Sequence, residues 1–182
     1  MKVVETNIPD IKIIEPAVFG DERGFFMETF RNDWFRQNVA NVEFVQDNHS
    51  KSKNGILRGL HYQLEHTQGK LVRVTSGEVF DVAVDMRKSS TTYGKWFGLL
   101  LSAESKRQLW VPAGFAHGFY VTSENAEFCY RCTDYYHPKS EVSIRFDDPD
   151  IGITWPMLNN QKPLLATKDA QGLAFSAAPK FA

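Results

Sequence analysis

The chain has no long apolar run, almost no cysteine and no excess charge of either sign. Nowhere do about 18 apolar residues follow one another, so no membrane span is expected. The opening "MKVVETNIPD" carries no apolar leader segment, and no secretory signal is expected there. Lys plus Arg number 21 and Asp plus Glu 22. That balance provides no basic field for a nucleic acid, and an anionic small ligand would need a local cluster of Arg and Lys. The two cysteines, Cys129 and Cys132, suit a reduced, cytoplasmic setting better than a disulfide scaffold. Their C-x-x-C spacing has no second pair to complete a zinc site and no following helix to make a redox motif.

What the sequence does hold is β-branched and aromatic residues in short runs. Its 182 residues fit one domain, 1–182, and 14 phenylalanines help supply a core. Strand signals recur in "KIIEP", "GFFMETF", "VEFVQDNHS", "ILRGLHYQL", "KLVRVTSGEVFDVAVDM", "KWFGLLLS", "QLWVPA", "GFYVTS", "AEFCYRCTDYY" and "VSIRF". Turn signals part them at Lys53-Asn54-Gly55, Ser76-Gly77, Pro112-Ala113-Gly114 and 147–150. In "TSGEVFDVAVDM", Glu78, Phe80, Val82 and Val84 fall on one face and Val79, Asp81, Ala83 and Asp85 on the other. Helix signals are few: Asn32-Asp33 as a cap for "WFRQNV", and a short helix around 159–172. About ten strands at this spacing predict an all-β fold, an antiparallel jelly-roll (cupin) barrel with a few short helices. Such barrels take ligands in the mouth between their sheets.

Scattered histidines in a barrel raise the question of a metal. A strand-borne pair of ligands needs His at i and i+2, and His61-Tyr62-Gln63 puts a glutamine in the second slot. His117 is a credible partner from another strand, but no trio assembles, and no metal is expected. Taken singly, His49, His61, His117 and His137 each read as hydrogen-bonded core residues.

The company His61 keeps changes that reading. "FGDERGFFMETF" (19–30), "FVQDNHS" (44–50), "LRGLHYQ" (57–63), "QGKLVRV" (68–74), "GEVFDVAVDMRKSS" (77–90), "LWVPAGFAHGF" (109–119), "YRCTDYYHPKSE" (130–141) and "TKD" (167–169) occur in order with sensible spacing. Together they resemble the metal-independent cupin-type dTDP-4-dehydrorhamnose 3,5-epimerases. The resemblance runs from about residue 3 to residue 170, and the tail "AQGLAFSAAPKFA" carries no motif.

The resemblance implies epimerisation of a nucleotide-linked 4-keto-6-deoxyhexose at C3 and C5, with no cofactor. Both carbons lie alpha to the ketone, so each proton can leave as an enolate forms. The chemistry needs a base, an acid on the opposite face and a group to hold the oxyanion. By family position His61 is the base, Asp169 its carboxylate partner, Tyr130 the acid and Lys70 the cation beside the C4 oxygen. An imidazole with a pKa of roughly 6.5 can accept a proton at neutral pH, and a phenol near roughly 10 can give one. Alone, Lys70 would read as a solvated lysine after a Gln-Gly turn. The family reading also assigns substrate contacts to Arg23, Glu28, Gln46, Asn48, Arg58, His117, Glu141 and Lys168, with Phe26 and Tyr136 against the base or sugar. His137 after Tyr135-Tyr136 departs from the family pattern and leaves the shape of the nucleotide pocket open.

The resemblance further implies a homodimer in which the segment 19–30 reaches the neighbour's site. An apolar strand there would be hazardous as a free edge. Strict alternation puts Arg58 and His61 on opposite faces of their strand, whereas the family reading needs both at one site. Gly59 between them is therefore expected to mark an irregularity. Three other readings stay open: a sister enzyme acting on one centre or isomerising the ketone, a metal-dependent cupin oxygenase, and a non-enzymatic sugar-binding jelly roll.

Overall fold

A computed structural model describes residues 1–157 and 161–182. Thirteen strands form two main sheets and one hairpin. In chain order they are β1 (Lys2–Glu5), β2 (Lys12–Glu15), β3 (Val18–Asp21), β4 (Gly24–Met27), β5 (Gln46–Lys53), β6 (Leu57–Gln63), β7 (Lys70–Ser76), β8 (Glu78–Asp85), β9 (Trp96–Ser102), β10 (Gln108–Val111), β11 (Phe115–Val121), β12 (Asn125–Cys132) and β13 (Glu141–Ser143). Helix α1 spans Asn32–Asn38 and α2 spans Thr167–Ala170. One sheet has the order β1-β2-β10-β7-β12-β5, the other β13-β6-β11-β8-β9, and among the described residues β3 pairs only with β4. All strand pairs in these sheets are antiparallel.

The architecture is jelly-roll-like, as the strand pattern predicts, but it is two facing sheets rather than a closed barrel. Among the described residues no ladder joins one sheet to the other. The mouth between the sheets is thus open to side chains from both.

Alternation places the core. Val72, Val74, Leu109 and Phe128 of the larger sheet meet Val79, Ala83, Leu101 and Phe119 of the smaller one. Phe128 stacks on Phe119 with ring centroids 4.3 Å apart. Truncating such a buried ring to alanine costs about 3–5 kcal/mol. The two faces of β8 separate as expected, yet both are covered. Val82 and Val84 face outward against Leu60, Ile144, Phe175 and Ala178. The motif-free tail therefore completes a second core. On the outside of the larger sheet, α1 lays Phe35 against Ile14, Leu71 and Trp110.

The turn expected at Ser76-Gly77 parts β7 from β8 at Gly77, whose φ of +73° and close approach to the Asn125 carbonyl leave no room for a Cβ. Two expectations change. The cap of α1 is Arg31, not Asn32 or Asp33. Asp33 instead accepts the Trp34 N–H at 2.7 Å from inside the first turn. The late helix is only Thr167–Ala170, and the start of the expected 159–172 span lies outside the described residues.

Candidate active site

The strand β6 carries an extra residue against β11. His61 lies opposite His117, while Arg58 lies opposite Phe119, so three steps on β6 match two on β11. This is a bulge, and it re-aims side chains on one strand. Gly59 sits within it at φ +118°, and a Cβ there would come within 2.6 Å of the Gly118 Cα and 2.8 Å of the His117 carbonyl. Only glycine fits. The irregularity brings Arg58 and His61 to one pocket of about 320 Å³ between the sheets.

The pocket gathers most of the residues picked out above. Gln46, Asn48, Arg58, His61, Lys70 and Tyr130 line it from four strands. Tyr136, Glu141, Lys168 and Asp169 close its rim and end. On the pocket side of the larger sheet, Tyr130 is in register with Asn48, and Cys132 with Lys70 and Gln46.

His61 and Asp169 form the central pair. The His61 Nε2 is hydrogen-bonded to an Asp169 carboxylate oxygen. Asp169 is 2% exposed, in α2, while the His61 side chain is 22% exposed. With Asp169 accepting the Nε2–H, Nδ1 holds the free lone pair and can accept a proton. Burial pushes the Tyr130 phenol up, reinforced by Cys132 and opposed by Arg58. The phenol therefore stays protonated through neutral pH. Burial pushes the Lys70 ammonium down, against the pull of Cys132 and Glu141. Lys70 is thus no solvated surface lysine. It is a half-buried cation in the pocket wall.

The rim is a second polar cluster. Lys168 Nζ donates to both Glu141 oxygens at 2.9 Å, and the Tyr136 hydroxyl donates to Glu141 at 3.1 Å. Arg58 Nε donates to the Ser52 Oγ at 2.9 Å.

Four expected site residues stand elsewhere. Arg23, Phe26 and Glu28 lie outside the pocket of their own chain. Arg23 is paired with Asp21, which raises its guanidinium pKa, and Glu28 is paired with Arg31 at 2.9 Å. His117 is buried, with Nε2 at 2.9 and 3.0 Å from the two Asp81 oxygens, and does not line the pocket. Two histidines read as core residues prove otherwise. His49 is on the outer face of β5, bonded to Glu127, and half-buried His137 bonds Ser140 Oγ. Conversely, Ser50, Gln63, Gln68 and Phe119 line the pocket without having been singled out as site residues. For Ser50 and Phe119 the signal was present: Ser50 shares the inward period of Gln46 and Asn48, and Phe119 follows His117 by two. Among the described residues, no group of three His, Cys, Asp or Glu side chains is arranged to hold a metal ion.

Comparison with known proteins agrees with this geometry. The profile of the family described as dTDP-4-dehydrorhamnose 3,5-epimerase matches residues 5–177. A protein of that name from Shigella flexneri is 59% identical over 183 residues, covering 100% of this chain and 99% of the relative. One from Neisseria gonorrhoeae is 57% identical over 182 residues, 100% of this chain but 55% of the relative. Among solved structures, dTDP-6-deoxy-D-glucose-3,5-epimerase RmlC from Legionella pneumophila Philadelphia 1, in complex with dTDP-4-keto-L-rhamnose, superposes with a TM-score of 0.95. It is 52% identical and covers 98% of this chain and 94% of its own. ChmJ, a 3'-monoepimerase from Streptomyces bikiniensis in complex with dTDP-quinovose, gives a TM-score of 0.87 at 32% identity, covering 94% and 87%.

Proposed function

Because the chain belongs to the dTDP-4-dehydrorhamnose 3,5-epimerase family, we propose that it inverts C3 and C5 of dTDP-4-dehydro-6-deoxy-D-glucose. The product is dTDP-4-dehydro-L-rhamnose, in dTDP-L-rhamnose biosynthesis, and the enzyme is an isomerase. The observation that carries the residue roles is the His61–Asp169 pair opening into a pocket shared with Tyr130, Lys70 and Arg58.

His61 Nδ1 removes the proton alpha to the ketone. The C–H electron pair moves into the ring and the carbonyl pair onto the C4 oxygen. Asp169 stabilises the imidazolium that forms, as carboxylates do in other His–Asp pairs. Lys70 faces the enolate oxygen, where a cation held in the wall needs no reorganisation as charge develops. Tyr130 returns a proton to the carbon from the opposite face, and exchange with solvent restores both groups. Arg58, Gln46, Asn48, Glu141 and Lys168 hold the nucleotide diphosphate and sugar, with Tyr136 along the base or sugar.

The ChmJ comparison keeps a single-centre enzyme as the second reading, since the fold is shared with a monoepimerase. Identities of 52–59% to double epimerases against 32% to that protein favour both centres. Incubation with dTDP-4-keto-6-deoxyglucose in deuterated water, read by NMR, tests this. Deuterium is expected at both C3 and C5; label at C3 alone would establish the second reading.

We further propose a cytoplasmic homodimer of this one domain, 1–182. The β3–β4 hairpin exposes Phe19, Phe25 and Phe26, the last 71% exposed, in a sheet that joins no other ladder among the described residues. A second copy would cover this apolar surface and receive Arg23, Phe26 and Glu28 at its own site. An inactive Arg23 variant mixed with an inactive His61 variant is then expected to regain up to roughly a quarter of native activity, since a two-fold heterodimer has one intact site. No rescue after verified subunit exchange would rule this out.

A further inference from the structure

Four consecutive residues without regular secondary structure, Asp134 to His137, are held through their backbone by glutamine side chains. Gln68 Nε2 donates to the Asp134 carbonyl at 2.9 Å. Gln63 Nε2 donates to the Tyr135 carbonyl at 3.2 Å, and its Oε1 accepts the His137 N–H at 3.0 Å. Gln46 Oε1 accepts the Tyr136 N–H at 2.9 Å. The second Gln63 donor reaches the His66 carbonyl at 2.7 Å, tying in the neighbouring loop. The three glutamines come from β5, β6 and the start of β7's approach, and all three line the pocket. Gln63 and Gln68 are buried.

An amide is an uncharged side chain whose oxygen accepts from an N–H while its NH2 donates to as many as two carbonyls. A loop that presents two carbonyls and then two N–H groups in succession is matched by such side chains. Methionine would fill similar space and offer the loop's carbonyls and N–H groups no partner. The grip has a functional neighbour. Tyr136 is half exposed at the rim, with its backbone held by Gln46 and its hydroxyl by Glu141. Glu141 is opposite Gln63 on β13, while Ser143 is opposite His61. The rim is therefore two residues along the strand from the base, or roughly 7 Å.

We infer that Gln63 and Gln68, with Gln46, are positioning residues that hold Tyr136 in place as the wall of the nucleotide subsite. This rests on the proposed function, and it places the clamp in recognition of the nucleotide and not in proton transfer. A loosened segment would then weaken binding of dTDP and substrate alike and leave the bound substrate's chemistry intact.

The test uses the full chain with Gln63→Met and Gln68→Met, the second removing a single bond should the first fail to fold. Three quantities are measured: amide exchange of the peptide covering 133–138, affinity for dTDP alone by calorimetry, and kcat and KM with dTDP-4-keto-6-deoxyglucose. Expected are faster exchange in that peptide, dTDP affinity lower and KM higher by about tenfold, and kcat within about threefold of native. Unchanged dTDP affinity and KM despite faster exchange would overturn the inference, as would a fall in kcat matching that in kcat/KM. The native protein is the control that separates the two readings. If it neither binds dTDP nor turns over the sugar, the proposed function fails, whatever the loop does.

Discussion

Two histidine–aspartate pairs lie side by side in this sandwich and do different things. His61 and His117 are in register on β6 and β11. Each ring offers Nε2 to a carboxylate that is essentially inaccessible: Asp169, 2% exposed, and Asp81, 0%. The difference is the histidine. His61 borders the pocket, whereas His117 is shut in, stacked on Phe128 in the core with centroids 6.2 Å apart. An imidazole–carboxylate pair can act as a base only where the second nitrogen meets a ligand. Elsewhere the same atoms are a satisfied polar pair whose loss costs stability. The bulge at Gly59 is what separates the two cases, because it turns β6 towards the pocket while β11 continues in regular register with β8.

The sharpest way to break the comparison is to remove each ring. His61→Asn is expected to lower kcat/KM by about 10²- to 10⁴-fold with the melting temperature little changed. Turnover near the native rate would return His61 to the core class. Asp169→Asn keeps the shape and removes the charge that favours the imidazolium, so a smaller loss, about 10- to 10³-fold, is expected in deuterium exchange. An effect on stability alone would make the two aspartates equivalent. His117→Ala strands a buried carboxylate, and urea denaturation should show a loss of about 3 kcal/mol. Its effect on turnover below the melting temperature should be smaller than that of His61→Asn. A stable but inactive His117→Ala would put this residue back at the site.

The smallest expected effect comes from a third buried carboxylate, one paired with arginine. Burial alone would raise the Asp85 pKa, but hydrogen bonds from Arg87, Ser90 and Thr92 outweigh it and bring it to about 2. A lowered pKa means the ionised form is the one the fold favours. Its contribution is complete above roughly pH 4 and fades as pH falls through about 2. Asp85→Asn should therefore cost about 2 kcal/mol at pH 6 and measurably less at pH 3. A cost independent of pH would mean that shape, not charge, holds the Arg87 corner.

Much of this was legible in the chain. Period-two runs marked the strands of the two main sheets because most of these bury at least one face, and the order of motifs pointed to His61, Tyr130, Lys70 and Asp169, which the fold does bring together. The Gly59 irregularity followed from requiring Arg58 and His61 at one site. Other features had no local signal. The tail after residue 170 buries Phe175 and Ala178, but two apolar residues among small ones show no period. Gln63 entered only as a poor metal ligand, because a side chain that bonds to loop backbone has no sequence partner to reveal it. His117, assigned to the site by resemblance, lies outside the pocket against Asp81, because the bulge that turns β6 has no counterpart on β11.

Asp169 stands 108 residues after the histidine it orients, on a four-residue helix beyond the last strand. Both sheets can be laid down before it exists. A ribosome delivers the amino-terminal part first, so a nascent chain halted short of residue 167 would hold every strand of both sheets and most of the pocket's lining, but not the tail that completes the second core, and its base would lack the anion that sets its tautomer. Catalytic competence would thus wait for residue 169, as an event later than the pairing of the strands.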